Sequence, residues 1–202
     1  MPAARRTPTR SPGRPAAATR EQVLELARAS FLAGERVDVQ AIAARLGLSR
    51  ASIYRWYRSR DGLLGAVMAS EYEIMIARAE ARRRTRGVRR IVEVLNEVDR
   101  WMVRSTAFRH YFDNEPLSGL RVLTTGDGPV QPRVVAAVAA LIARTEAEDD
   151  YRPPLDRDLL AYALVRLGEA FLYNDSVAGI RGDIERLGAV RTALLGGEPE
   201  PR

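Results

Sequence analysis

From Thr19 onward the apolar positions fall in a helical rhythm. Val23, Leu24, Ala27 and Phe31 recur at three- and four-residue spacing, which places them on one face of a helix. Thr19, with Gln22 three residues on, is a candidate N-cap, and Gly34 is a candidate stop. A second, short helix is predicted from Val39 to Leu46, capped by Asp38 and ended by Gly47, with Ile42, Ala43 and Leu46 inward. Ser49 caps a third over Arg50–Tyr57, and Ser59 a fourth running from Arg60 into the low 80s. Helical patterns continue over 87–104, 106–113, 117–124, 130–147, 156–174 and 183–195. Breakers fall between them: Gly87, Pro116, the string TGDGP at 125–129, YRPP at 151–154, and Gly179 with Gly182. No window alternates with period two, and no internal repeat is visible. The predicted fold class is all-α, a three-helix head followed by a larger helical body.

Residues 1–18 have neither period. Proline, Arg, Ser and Thr dominate, so this segment is expected to be a disordered basic arm. Two readings of it stand: a solvated tail, or an arm whose Gly13–Pro15 segment follows a DNA minor groove with Arg14 inserted. The expected units are the arm at 1–18, a head at 19–64 and a body at 65–202. Within the head, the second and third helices carry helix-turn-helix spacing. Ala43 is small where two helices touch, Gly47 suits a turn that needs positive φ, and Ile53, ten residues after Ala43, fills the angle between them.

Charge changes the picture. The chain of 202 residues carries a formal +6, but residues 1–60 hold 12 Arg against four Asp or Glu, while residues 61–202 hold 20 Arg against 22 acids. The basic excess therefore belongs to the first third, as expected of a module that meets a polyanion joined to a near-neutral module with another task. Arg50, Arg55, Arg58 and Arg60, together with Tyr54, crowd a helix that buries only one face. There is no cysteine, which excludes disulfides and thiolate metal sites. No apolar run approaches the ~20 residues of a membrane-spanning helix. The early arginines have no apolar stretch behind them, as a secretory signal would require. A cytoplasmic protein without a membrane partner or a cofactor is expected.

The strings VLELARASFLAGE and VQAIAARLGLSRASIYRWYRSRDGLL carry a resemblance to the DNA-binding head of the TetR family of bacterial repressors. The matching residues are Ile42, Ala43, Leu46, Gly47, Leu48 and Ser49, then Tyr54, Tyr57, Arg60 and Leu63. Tyr57 stands where the family has Phe, and Arg60 where it has Lys. Gly62 is an unusual residue for that turn and is expected to loosen the start of the fourth helix. The resemblance implies that the third helix enters the major groove of a double-stranded operator. Arg50, Ala51, Ser52 and Arg55 would then face base edges, with Arg on guanine and Ala51 on a thymine methyl. Tyr54 and Arg60 would hold phosphates. Gln40 would reach a phosphate or a base, Trp56 would pack on the head or flank the DNA backbone, and Arg58 would be solvated or face a phosphate.

One head reads only about 4–6 base pairs, so the resemblance implies a homodimer on paired half-sites. The last two helices of such proteins form a four-helix interface, to which Leu160, Ala163, Leu167, Phe171, Leu187, Val190 and Leu194 are assigned here. Intramolecular core is the competing role for each. The body would hold a small-molecule effector pocket, with Trp101, Met102, Phe108, His110, Tyr111, Tyr162, Arg166, Glu169 and Tyr173 as candidates for an amphipathic ligand. Core packing competes for the aromatics, and mutual pairing competes for Arg166 and Glu169. The segments 114–134 and 166–175 resemble the subgroup of the family named for QsdR, which implies a lactone or acyl-lactone effector.

Two other functions compete with this one. An enzyme reading has His110, Asp113 and Asn114 at i, i+3 and i+4, but His110 is the only histidine and no nucleophile-elbow or phosphate-loop motif is present. An architectural DNA-binding dimer without an effector would have the same head. Whether a regulator of this kind represses or activates depends on where its operator lies.

Overall fold

A computed structural model describes residues 18–124, 128–173 and 184–198, without the side chains of Leu120, Thr124, Leu172 and Tyr173. The basic arm up to residue 17, Gly179 and Gly182 lie outside the described residues. Ten helices and no strand are present among those described: α1 Arg20–Leu32, α2 Val39–Arg45, α3 Arg50–Tyr57, α4 Arg60–Arg82, α5 Gly87–Arg104, α6 Thr106–Asn114, α7 Pro116–Thr124, α8 Val130–Asp149, α9 Arg157–Tyr173 and α10 Ile184–Leu194. The all-α expectation holds.

The head is built by its caps. The Gln22 amide donates to Thr19 Oγ1 at 3.3 Å and the Thr19 amide to Gln22 Oε1 at 2.9 Å, a reciprocal box that starts α1. Asp38 accepts from the amides of Gln40 and Ala41 at the start of α2, and those bonds hold its carboxyl below the usual range. Ser49 accepts from the Ser52 amide, and Ser59 from the Gly62 amide. Each such cap contributes about 1 kcal/mol. Gly47 turns the chain at φ +64°, and the next amide, of Leu48, donates to Ala43 O at 2.9 Å. Ile53 is fully buried beside Ala43 and Ile42, so the three short helices close on one small core.

Gly62 departs from expectation. A Cβ there would sit 1.9 Å from the Tyr57 carbonyl oxygen. The glycine lets the end of α3 pack against the start of α4, and tightens that corner where loosening was expected.

Head and body share one core. Val23, Phe31 and Ile53 belong to the same buried cluster as Leu95, Leu141 and Leu160, and α4 runs unbroken through it. In the body α8 packs along both α4 and α9, while α5 lies against α4, α8 and α10. An aromatic chain crosses the junction: Phe31 of α1 meets Phe108 of α6 edge-on at 5.2 Å, and Phe108 meets Trp101 of α5 at 5.3 Å. No described helix is long and apolar enough to cross a membrane.

Candidate nucleic-acid interface and body cavity

On the head, α3 buries Ile53 and Tyr57 and turns the rest of its surface outward. Gln40, Arg50, Ala51 and Arg55 are exposed, and Ser52 and Tyr54 are partly so. Arg50 donates to the Tyr54 hydroxyl at 3.3 Å with its guanidinium 5.7 Å from the ring centre. That bond raises the Arg50 pKa further above neutrality. Ser52 Oγ lies 3.0 Å from Ser49 Oγ. Tyr57 donates its hydroxyl to Arg20 O at 2.8 Å, a bond a Phe at this position could not make. Trp56 is partly buried against the core.

Arg45, Arg50, Arg55 and Arg58 are all exposed, and among the described residues none forms an ion pair. The half-buried arginines of the body are paired instead. Arg90 reaches Glu80, Glu148 and Asp149, Arg144 pairs with Glu80, and Arg133 pairs with Glu73. The outward surface of α3 is thus a cluster of cations without ion-pair partners, with aromatic and small polar groups between them.

Arg60, expected on a phosphate, is turned the other way. Its Nε donates to Val37 O at 2.9 Å, and its two terminal nitrogens donate to Glu115 at 2.6 and 2.8 Å. This pair depresses the Glu115 pKa.

The body contains a cavity of about 40 Å³, room for a few water molecules. Its apolar lining includes Met68, Trp101, Met102, Phe108, Val134 and Val165. Its polar lining is Tyr72, Asp99, Glu169 and Arg191. Arg191 is 2% exposed, pairs with Asp99 and donates to Asn96 Oδ1 at 3.2 Å. Its Nε has no hydrogen-bond partner among the described residues. Burial pushes the Asp99 carboxyl up, against the pull of Arg191, and pushes the Tyr72 phenol up as well. Gly168 makes room for this arginine, since a Cβ there would fall 2.6 Å from Arg191 Nη2. Glu169 accepts from Gln131 and from Arg166, the latter at 2.7 Å, and burial raises its pKa.

Of the expected pocket residues, Trp101, Met102, Phe108 and Glu169 line this cavity. His110 and Tyr111 instead line a separate cleft of about 240 Å³ between head and body, together with Arg36, Arg60 and Glu115. Tyr162 is 52% exposed on the outside of α9, and Arg166 is exposed beside it. The Tyr173 side chain is outside the described residues. Asp99, Arg191, Asn96 and Tyr72 were missed. The available signal was Asn96 and Asp99 at i, i+3 on the apolar face of α5 formed by Ile91, Val94, Leu95 and Val98.

The expected interface residues divide similarly. Leu160 and Leu187 are fully buried within this chain and cannot meet a partner. Leu194 packs against the same core. Ala163, Leu167 and Phe171 are partly buried, and Val190 is 45% exposed. The outer stripe of α9 is Leu159, Tyr162, Ala163, Arg166 and Ala170, beside Ala189, Val190 and Ala193 of α10. The i, i+3, i+4 rule applies, but its phase is one residue from the predicted one. The His110, Asp113, Asn114 grouping makes no metal site among the described residues, and Asn114 donates to His110 O at 2.7 Å.

Comparison with known proteins agrees with this layout. Residues 24–67 match the family model described as bacterial regulatory proteins, tetR family, and residues 86–196 match that of the Tetracyclin repressor-like, C-terminal domain. The R. erythropolis transcriptional repressor QsdR, from the TetR family, superposes with a TM-score of 0.83 and 27% identity, over 91% of this chain and 97% of that one. PfmR, a TetR family transcriptional regulator from Thermus thermophilus, reaches a TM-score of 0.41 at 18% identity over 90% of this chain and 100% of that one, too distant to carry an argument. No curated protein sequence matches.

Proposed function

Because the chain belongs to the TetR family of bacterial transcriptional regulators, we propose that it is a homodimeric repressor released from an inverted-repeat operator by a small amphipathic effector. The observation that carries the reading is the outward surface of α3, where Arg50 and Arg55 stand exposed without a paired carboxylate. In this reading α3 lies in the major groove, with Arg50, Ala51, Ser52 and Arg55 toward base edges and Tyr54 toward a phosphate. Gln40 flanks them from α2. The outer stripe of α9 and α10, with Leu159, Tyr162 and Val190 exposed, supports a helical dimer face that sets the spacing of two heads.

The effector enters the body cavity. Its apolar lining takes a hydrocarbon portion, and the unpartnered Arg191 Nε and the Tyr72 hydroxyl are the polar anchors. A lactone, the class carried by the resemblance to QsdR-type regulators, has the required acceptor oxygens. The cavity must open to admit it, so part of the binding free energy goes into moving α5 to α9. Release follows only if the ligand favours the state that cannot bind DNA.

Selection of bound duplexes from a random DNA pool tests the core of this reading. An enriched inverted repeat is the expected outcome, and no enrichment over a variant with Arg50 and Arg55 replaced by Ala would overturn it. The small volume of the cavity favours a second reading, a DNA-binding dimer without an effector. Melting temperature in the presence of simple alkyl lactones separates the two, since a bound ligand raises it by mass action.

A further inference from the structure

Arg60 and Glu115 lie 55 residues apart, yet they form a two-point charged contact between head and body. Arg60 opens α4, directly after the corner that ends α3. Glu115 sits between α6 and α7, the C-cap of one and the residue before the other. Two parallel N–H···O bonds from one guanidinium to one carboxylate are the geometry a guanidinium also uses on a phosphate. Cationic side chains outnumber acidic ones around Glu115, Glu35 being the other acid that lines the same cleft. Arg36, Arg60, His110 and Asn114 converge on the same open cleft, and Arg36 acts on the Glu115 carboxylate from the α1–α2 loop.

We propose that Glu115 is an internal stand-in for a DNA phosphate: it holds Arg60 on the body in the free protein, and operator binding exchanges the carboxylate for a phosphate on the same two nitrogens. The proposal rests on the reading that the head binds DNA, and adds a competitor to it. The cleft of about 240 Å³ beside the pair gives both side chains room to part. Because the guanidinium is planar, swinging its two terminal nitrogens away from Glu115 also gives up the 2.9 Å Nε bond to Val37 O. The competitor is also wired to the body cavity. Phe108 of α6 and Leu123 of α7 line that cavity, while Tyr111 of α6 and Ser118 of α7 share a 3.0 Å hydrogen bond, and Ser118 donates to Asp61, next to Arg60, at 2.9 Å. A shift of α6 or α7 moves Glu115 toward or away from Arg60 and so sets how much of Arg60 is available to DNA.

The test is a double-mutant cycle on an operator-bearing duplex, read as binding affinity in the full-length protein. Glu115→Gln is expected to tighten binding about three- to tenfold, the scale of one part-exposed charged pair. In an Arg60→Gln background the same change is expected to do nothing. Glu115→Ala serves as a second variant, and thermal melts check that each protein folds. Unchanged or weaker binding by both folded Glu115 variants would make the pair a plain brace and overturn the proposal. Equal affinity of wild type and Arg60→Gln would also overturn it while leaving DNA binding intact. Failure of the wild-type protein to bind any duplex would remove the DNA-binding reading itself, and the proposal with it.

Discussion

The arginines of α2 and α3 and the buried or half-buried arginines of the body are the same residue under opposite rules. In the body, Arg90, Arg133 and Arg144 meet carboxylates, and Arg191 is buried against Asp99. In the head, Arg45, Arg50, Arg55 and Arg58 stay in water, without an ion pair among the described residues. Asp38, the acid whose field reaches Arg50, is used as a helix cap. A buried charge must have its partner within the fold or lose several kcal/mol, whereas an exposed one stays solvated at little cost until a partner arrives. Burial and neighbours, and not residue type, separate the structural arginines from the solvated ones, which in the body include Arg78, Arg84, Arg104 and Arg109. Arg60 stands between the groups, since it sits at the edge of α3 and carries a body-type partner.

The largest effect should come from the body. Arg191→Ala strands Asp99 without its counter-charge and is expected to lower unfolding stability by about 3–5 kcal/mol in denaturant titration. Replacing both, Asp99→Leu with Arg191→Met, should recover most of that loss. A loss below about 1 kcal/mol for the single change would erase the contrast between the regions. Arg50→Ala and Arg55→Ala invert the pattern. Each should leave stability within about 0.5 kcal/mol and weaken operator binding by about 1–3 kcal/mol with relaxed preference at one base position. Equal weakening on all sequences would reassign that arginine to a phosphate. A smaller effect is expected at Glu169, whose folded pKa is raised by burial. The folded state then holds the proton more tightly than the unfolded chain, so ionisation costs stability as pH rises above the ordinary value of about 4.3. Glu169→Gln should therefore be more stable than wild type once pH rises above about 4.3, and match it below that pH. Arg157→Ala, which loses a half-exposed pair with Glu146, should change stability by about 0.5 kcal/mol or less and leave DNA binding alone.

What was legible in the sequence was local. Thr19, Asp38, Ser49 and Ser59 mark helix starts because a cap is a bond between residues two or three apart. Ala43, Gly47 and Ile53 mark the helix-turn-helix because its core closes within a dozen residues. The unread features depend on distant partners. Nothing near Arg60 announces Glu115, and Gly62 reads as a weak helix former until the Tyr57 carbonyl is set against it. On α9 both faces are apolar, so period alone could not tell Leu160, in the core, from Leu159, at the surface. Arg191 lies between Leu187 and Leu195 on a buried stripe, a break in pattern that pointed inward, but its partners Asn96 and Asp99 come from a helix nearly a hundred residues earlier.

The unbroken α4 has a practical meaning for anyone recombining such proteins. Cutting after residue 64 separates sequence motifs, yet it leaves Arg60, Asp61 and Phe31 on one piece and Glu115, Ser118 and Phe108 on the other. A head grafted onto a foreign body would inherit half of each handshake. Chimeras that exchange the outward surface of the head should therefore transplant α3 alone, or carry the α6–α7 corner along with the head, if the hybrid is to keep the contacts between the two.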